Sequence, residues 1–256
     1  MSDEAPVFET TTGPVRIITA ASLFDGHDAA INVMRRLIQS SGAEVIHLGH
    51  DRSAKDVVDC AVQEDAHAVA LTSYQGGHME YFTYIRQLLD EAGCAHVRIF
   101  GGGGGTITPP EIRDLHKSGI SRIYSPDDGR KMGLMGMIHD LMGTASEVDL
   151  IADDRITSLD GPITADEMAK VGLLLTLSES ASDEDFKDMV EKVRSSDKEV
   201  PVIGFTGTGG AGKSSLLDEL MLRILRDNPD KKVCLLCVDP TRKRTGGALL
   251  GDRIRM

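Results

Sequence analysis

Residues 15–39 read VRIITAASLFDGHDAAINVMRRLIQ, and the order of their side chains decides the fold. Val15 to Ala20 is a short run rich in β-branched residues, the pattern of a buried strand. From Ala29 to Gln39 the apolar positions switch to helical spacing, with Ile31, Met34, Leu37 and Ile38 on one face. The same β-α unit recurs downstream. Strands at Glu44–Leu48, His67–Thr72, Val97–Phe100 and Ser121–Tyr124 alternate with helices at Ala54–Glu64, Met79–Glu91, Pro109–Lys117 and Lys131–Met142. Five such units in about 130 residues predict a parallel sheet covered on both faces. Closing a barrel takes eight, so an α/β, flavodoxin-like doubly wound sheet is expected over 15–142.

Residues 1–14 are polar and Thr-rich and read as a loose tail. Residues 143–199 are dense in Asp, Glu and Ser and read as a helical linker. Thr164-Ala-Asp-Glu167 caps a helix to Leu177, and Ser182-Asp-Glu-Asp185 caps a second, Phe186–Val193. A new β run, Pro201–Thr206, leads through a glycine-rich turn into the helix Ser214–Arg226, and a second strand is expected at Lys232–Val238. Residues 200–256 hold fewer β-α units than a nucleotide-binding domain needs, so they are expected to be the N-terminal part of one.

Charge narrows the function. Lys and Arg number 28 against 40 Asp and Glu, a net charge of −12 that repels nucleic acid and anionic lipid. Apolar runs such as Val171–Leu175 and Val233–Val238 fall far short of the roughly 20 residues a membrane helix needs. The acidic start and the four cysteines argue against secretion, so a cytoplasmic protein is expected.

Gly207-Thr-Gly-Gly-Ala-Gly212-Lys213-Ser214 fits G-x-x-x-x-G-K-[ST] between a predicted strand and helix. Backbone N–H groups of Gly209, Gly210, Ala211, Gly212 and Ser215 are placed to surround a phosphate at a helix N-terminus. Lys213 would reach the terminal phosphates and act catalytically there, and Ser214 would bind Mg²⁺. Asp239 and Asp252 follow. Each could complete the Mg²⁺ shell, and Asp239-Pro240 could equally be a strand exit. The residues alone do not separate GTP from ATP.

Three unusual segments leave the carboxyl edge of the first sheet, where ligands of doubly wound folds bind. They are Phe24-Asp-Gly-His-Asp28, Thr72-Ser-Tyr-Gln-Gly-Gly-His78 and Gly101-Gly-Gly-Gly-Gly-Thr106. Five successive glycines, Gly101, Gly102, Gly103, Gly104 and Gly105, suit a flat wall against a large ligand. Asp25-x-His27 suits a carboxylate orienting an imidazole that binds a metal.

Together these segments resemble the cobalamin-binding domain of adenosylcobalamin-dependent acyl-CoA mutases, whose signature is D-x-H-x-x-G, S-x-L and G-G. The resemblance implies that His27 is the lower axial ligand to cobalt and that Asp25 bonds to it. It implies that the displaced base tail runs into a slot lined by Ser73 and Gly101 to Gly105. Ala30 stands where the first motif ends in glycine, Tyr74 or Gln75 where leucine is expected, and Ala21 where some members place a relay lysine. Val238 to Met256 resembles the G-protein chaperones that service such mutases, and this places Asp239 and Asp252 at the Mg²⁺ and GTP or GDP site. The order of parts resembles mutases fused in line with that chaperone. It implies adenosylcobalamin and Mg²⁺–GTP as cofactors, a C-terminal barrel binding the acyl-CoA substrate, and a homodimer. The implied reaction is isobutyryl-CoA to n-butyryl-CoA, with methylmalonyl-CoA or pivalyl-CoA as alternative substrates and a non-catalytic cobalamin carrier or sensor as the other class.

Other motifs read as structure. Cys234-Leu-Leu-Cys237 is expected as buried strand cysteines, Met132, Met135 and Met142 as core positions of one helix, and His47 and His50 as loop residues. His78 fits either a helix cap or the ligand edge.

Overall fold

The computed structural model describes residues 8–164, 166–194 and 200–237. In chain order the elements are β1 (Glu9–Thr10), β2 (Gly13–Pro14), β3 (Arg16–Ser22), α1 (Asp28–Ser40), β4 (Glu44–Arg52), α2 (Ala54–Gln63), β5 (Ala68–Thr72) and α3 (His78–Glu91). They continue with β6 (Arg98–Gly102), α4 (Pro109–Lys117), β7 (Arg122–Tyr124), α5 (Pro126–Ser146), α6 (Asp153–Thr157), α7 (Met168–Ser180), α8 (Asp183–Val193) and α9 (Lys213–Asp227). The chain divides into two units, residues 1–196 and 197–256.

In the first unit five strands pair in the order β4-β3-β5-β6-β7, and every pairing is parallel. The central strand β5 is buried from end to end, and β3 and β6 are buried along their middles, as a sheet covered on both faces requires. One face packs Ile17, Ala68 and Phe100 against Ile38 of α1 and Ile138 and Leu141 of α5. The doubly wound sheet is the one the alternation predicts, with β3 at the crossover point.

Several elements differ from the sequence expectation. The tail is not loose to its end: Glu9–Pro14 closes a two-residue-strand hairpin, and Phe8 packs against the core beside α5. The last helix starts at Pro126, capped by Ser125, and breaks at Gly133, whose φ of 67° and ψ of 174° only glycine adopts readily. The break turns Met132 and Met135 to the surface, while Met142 beyond it is fully buried. The expected linker is helical, and it packs down on the sheet domain. Gly172 of α7 lies so close to the Val62 carbonyl that a Cβ there would sit 2.8 Å from the oxygen.

In the second unit α9 forms as expected. The two predicted strands do not: Pro201–Thr206 and the described part of Lys232–Val238 have no ladder partner among the described residues, and Val202, Ile203 and Leu236 are exposed. An extended run becomes a strand only when a neighbour takes up its backbone N–H and C=O groups, and a few short runs bury too little to hold one another. Cys234 and Cys237 are therefore exposed, not buried. No helix among the described residues is long and apolar enough to cross a membrane.

Candidate functional site

The β3–α1 loop carries Asp25 and His27 to the carboxyl edge of the sheet. The Asp25 side chain is fully buried and the His27 side chain is 65 % exposed. Asp25 accepts three N–H groups: His27 N at 2.9 Å, His27 Nδ1 at 2.8 Å and Tyr74 N at 2.6 Å. Burial alone would raise this carboxyl's pKa. The N–H groups of Tyr74 and His27, with the His27 ring, outweigh it and hold the pKa below the usual carboxylate range. An ionised carboxylate only accepts, so His27 Nδ1 donates to it, and the tautomer that fits leaves Nε2 as the nitrogen able to bind a metal. That is the tautomer a metal-binding imidazole needs. The Tyr74 ring flanks His27, with centroids 5.4 Å apart.

Beside this pair an apolar cavity of about 380 Å³ opens between α1, the ends of β5 and β6, and α5. Gly101, Gly102, Gly103 and Gly104 line it, with Thr72, Tyr74, Leu134 and Met137; Gly105 does not. The glycines serve different ends. A Cβ on Gly101 would strike the Phe82 ring at 2.4 Å, and one on Gly103 would strike the Ser73 carbonyl at 1.9 Å. These two are required by the protein's own packing. Gly104 has φ +58° under Tyr74, and a Cβ on Gly105 meets nothing.

Ser73 is nearly fully buried; its Oγ lies 3.0 Å from Ser22 Oγ, which donates to it, and its N–H bonds to Gly102 O at 2.9 Å. Ser73 thus ties β3 to β6 and is not among the cavity's lining residues. Its neighbour Thr72 does line the cavity, and the buried Thr72 hydroxyl has no hydrogen-bond partner among the described residues. A slot lined by glycine backbone and apolar side chains, with a buried unpaired hydroxyl in it and an oriented imidazole outside it, fits a cobalamin tail and a cobalt ligand. The sequence placed Thr72 in the second edge segment but offered no sign of Leu134 or Met137, because their part depends on how α5 and β5 meet in space. His78 is buried at the start of α3, with Nε2 3.4 Å from Glu111 Oε2. It joins the second loop to α4.

In the second unit, Gly210 and Gly212 have φ of 76° and 80°, and Gly212 is the N-cap of α9. The loop therefore curls as a phosphate cradle does, and it is exposed. Lys213 Nζ donates to the carbonyls of Gly207 and Thr208, both at 2.9 Å. Gly209, Ala211, Ser214 and Ser215 complete the turn into the helix. Asp239 and Asp252 lie outside the described residues.

Residues 15–127 match the B12 binding domain family, and residues 171–256 match the methylmalonyl Co-A mutase-associated GTPase MeaB family. The latter match begins inside α7. A fused isobutyryl-CoA mutase of Geobacillus kaustophilus is 52 % identical over 249 residues, covering 94 % of this chain and 23 % of the relative. One of Cupriavidus metallidurans is also 52 % identical, covering 94 % of this chain and 22 % of the relative. The 2-hydroxyisobutanoyl-CoA mutase small subunit of Aquincola tertiaricarbonis is 30 % identical, over 44 % of this chain and 82 % of the subunit. The chain thus spans about a quarter of the length of its fused relatives and most of a free-standing small subunit.

Proposed function

The chain belongs to the family of fused isobutyryl-CoA mutases, with a B12-binding domain and a MeaB-type segment in line, and we propose that it binds adenosylcobalamin at the β3–α1 edge and Mg²⁺–GTP at the glycine-rich loop. The observation that carries the first half is the Asp25–His27 pair. Asp25 accepts the hydrogen bond of Nδ1, and His27 would offer Nε2 to the cobalt of the bound cofactor. The slot beside it takes the displaced base tail, with the Thr72 hydroxyl as its polar contact and Gly101 to Gly104 as its wall. Ser73 fixes the wall by joining β3 to β6.

When bound, adenosylcobalamin supplies radical chemistry by homolysis of its cobalt–carbon bond. Interconversion of isobutyryl-CoA and n-butyryl-CoA needs in addition a site for the acyl-CoA, which we place in the remaining length of the fused protein. Lys213 and Ser214 hold the nucleotide phosphates and Mg²⁺, with Asp239 and Asp252 as further Mg²⁺ contacts. Hydrolysis there gates cofactor loading. We place the whole protein in the cytoplasm as a homodimer. A visible absorption titration of the chain with adenosylcobalamin tests the reading. A spectrum with the nucleotide base displaced and histidine bound supports it, and an unchanged spectrum removes it.

A further inference from the structure

Three non-glycine residues among those described have left-handed backbone angles, and two of them are joined. Phe24 has φ 63° and Asp51, near the end of β4, has φ 57°. The Phe24 N–H donates to Asp51 Oδ1 at 2.7 Å. A left-handed conformation is unfavourable at a bulky aromatic residue and persists only where neighbours impose it. Here they do. Asp25 N bonds to Ser22 O, the Asp25 carboxylate is held by Tyr74 and His27, and Asp51 holds the Phe24 amide.

Those hydrogen bonds hold the backbone, but among the described residues no core packing of the Phe24 ring offsets the strain. The Phe24 side chain packs into no core and the residue is 80 % exposed; its neighbour Leu23 is 39 % exposed. Both sit on the loop that presents His27, Phe24 three residues and Leu23 four residues before it. A strained backbone that projects an aromatic ring into solvent, next to an oriented metal ligand, is arranged for a large flat apolar partner. The corrin macrocycle is the partner whose position His27 fixes.

We propose that Phe24 is a cofactor-contact residue that packs against the lower face of the corrin beside His27, and that Asp51 is a positioning residue acting through the Phe24 amide. The inference rests on the cobalamin reading above. It adds a contact that the D-x-H motif does not include.

The test is adenosylcobalamin binding to the intact chain, followed by visible absorption, for wild type, Phe24→Ala, Asp51→Gly and Asp51→Asn. Burying a phenylalanine side chain stabilises by about 1.5–3 kcal/mol, so Phe24→Ala should weaken binding roughly 10- to 100-fold. The histidine-bound spectrum should return at saturation. Asp51→Gly tolerates the left-handed angle but lacks the acceptor, and should weaken binding by less. Asp51→Asn keeps an Oδ1 acceptor and should restore it. In a Phe24→Ala background Asp51→Gly should have no further effect. Wild-type affinity in folded Phe24→Ala overturns the contact, and additive losses in the double variant overturn the role of Asp51. A wild type with no histidine-bound spectrum would instead remove the cobalamin reading itself. Circular dichroism of each variant separates these results from misfolding.

Discussion

The Thr176 hydroxyl on α7 donates to Asp65 Oδ2 at 2.7 Å, and both residues are almost fully buried. Asp65 lies between α2 and β5, at the edge of the sheet opposite the His27 loop. Its other oxygen, Oδ1, is 2.6 Å from Arg155 Nη2 on α6. Arg16, the first residue of β3, donates to Thr176 Oγ1 at 3.4 Å and pairs with Glu44 and Glu179. Helices α6 and α7 thus converge on one buried carboxylate, and β3 joins the cluster through Arg16 and Thr176. Helix α7, where the MeaB match begins, is held to the cobalamin-type sheet by this cluster and by the close approach of Gly172 to Val62.

Thr176→Val keeps the shape of the side chain and strands one oxygen of a buried carboxylate. We expect a loss of about 1–3 kcal/mol in denaturant unfolding. Hydrogen exchange should locate it, with faster exchange in α7 and little change in β3 and β5. Equal loss of protection throughout the sheet would contradict a local clasp.

Two histidines near Asp65, His67 fully buried and His96 largely so, make stability depend on pH. Burial, and then the Arg16 guanidinium, push His67 down to about 4 from 6.5; burial, and then Arg155, push His96 down to about 4. The unfolded chain takes up these protons near pH 6.5 and the folded chain refuses them until about 4. Unfolding therefore binds protons in that window, and stability should be intact above it and fall as pH drops through it. Thermal melts between pH 7 and 4.5 check this, and His67→Gln should flatten part of the slope.

The glycine run should respond unevenly to alanine. Gly103→Ala drives a methyl into the Ser73 carbonyl and should cost more than about 3 kcal/mol, or prevent folding. Gly105→Ala meets open space and should stay within about 0.5 kcal/mol of wild type. Unfolding curves of the two variants give the comparison directly.

At the phosphate loop, Lys213→Ala in the whole fused protein should weaken GTP binding roughly 100-fold, since a charge-assisted contact to phosphate is worth about 2–3 kcal/mol. Adenosylcobalamin binding to the first unit should be unchanged. Calorimetric titration with each ligand reads both.

The sheet was legible because burial on both faces leaves short runs without charge, such as residues 17–21, separated by helices with a regular apolar stripe. The Asp25–His27 pair was legible because its geometry is local, closed over two residues. What could not be read depends on contacts between distant segments. Gly133 looks helical in sequence, and its break shows only where α5 meets the cavity. Phe24 reads as an ordinary loop residue until its φ and exposure are known. The 200–206 and 232–238 runs have strand composition, but composition does not supply a pairing partner.

The central claim is that His27 Nε2 binds cobalt, and electron paramagnetic resonance of cob(II)alamin bound to the chain tests it most directly. Protein carrying ¹⁵N-histidine should convert the nitrogen superhyperfine pattern from triplets to doublets, because the ligand nucleus changes from spin 1 to spin ½, and His27→Ala should abolish that conversion. Triplets that persist in ¹⁵N-histidine protein would mean that the cofactor's own base remains on cobalt, and would contradict the assignment.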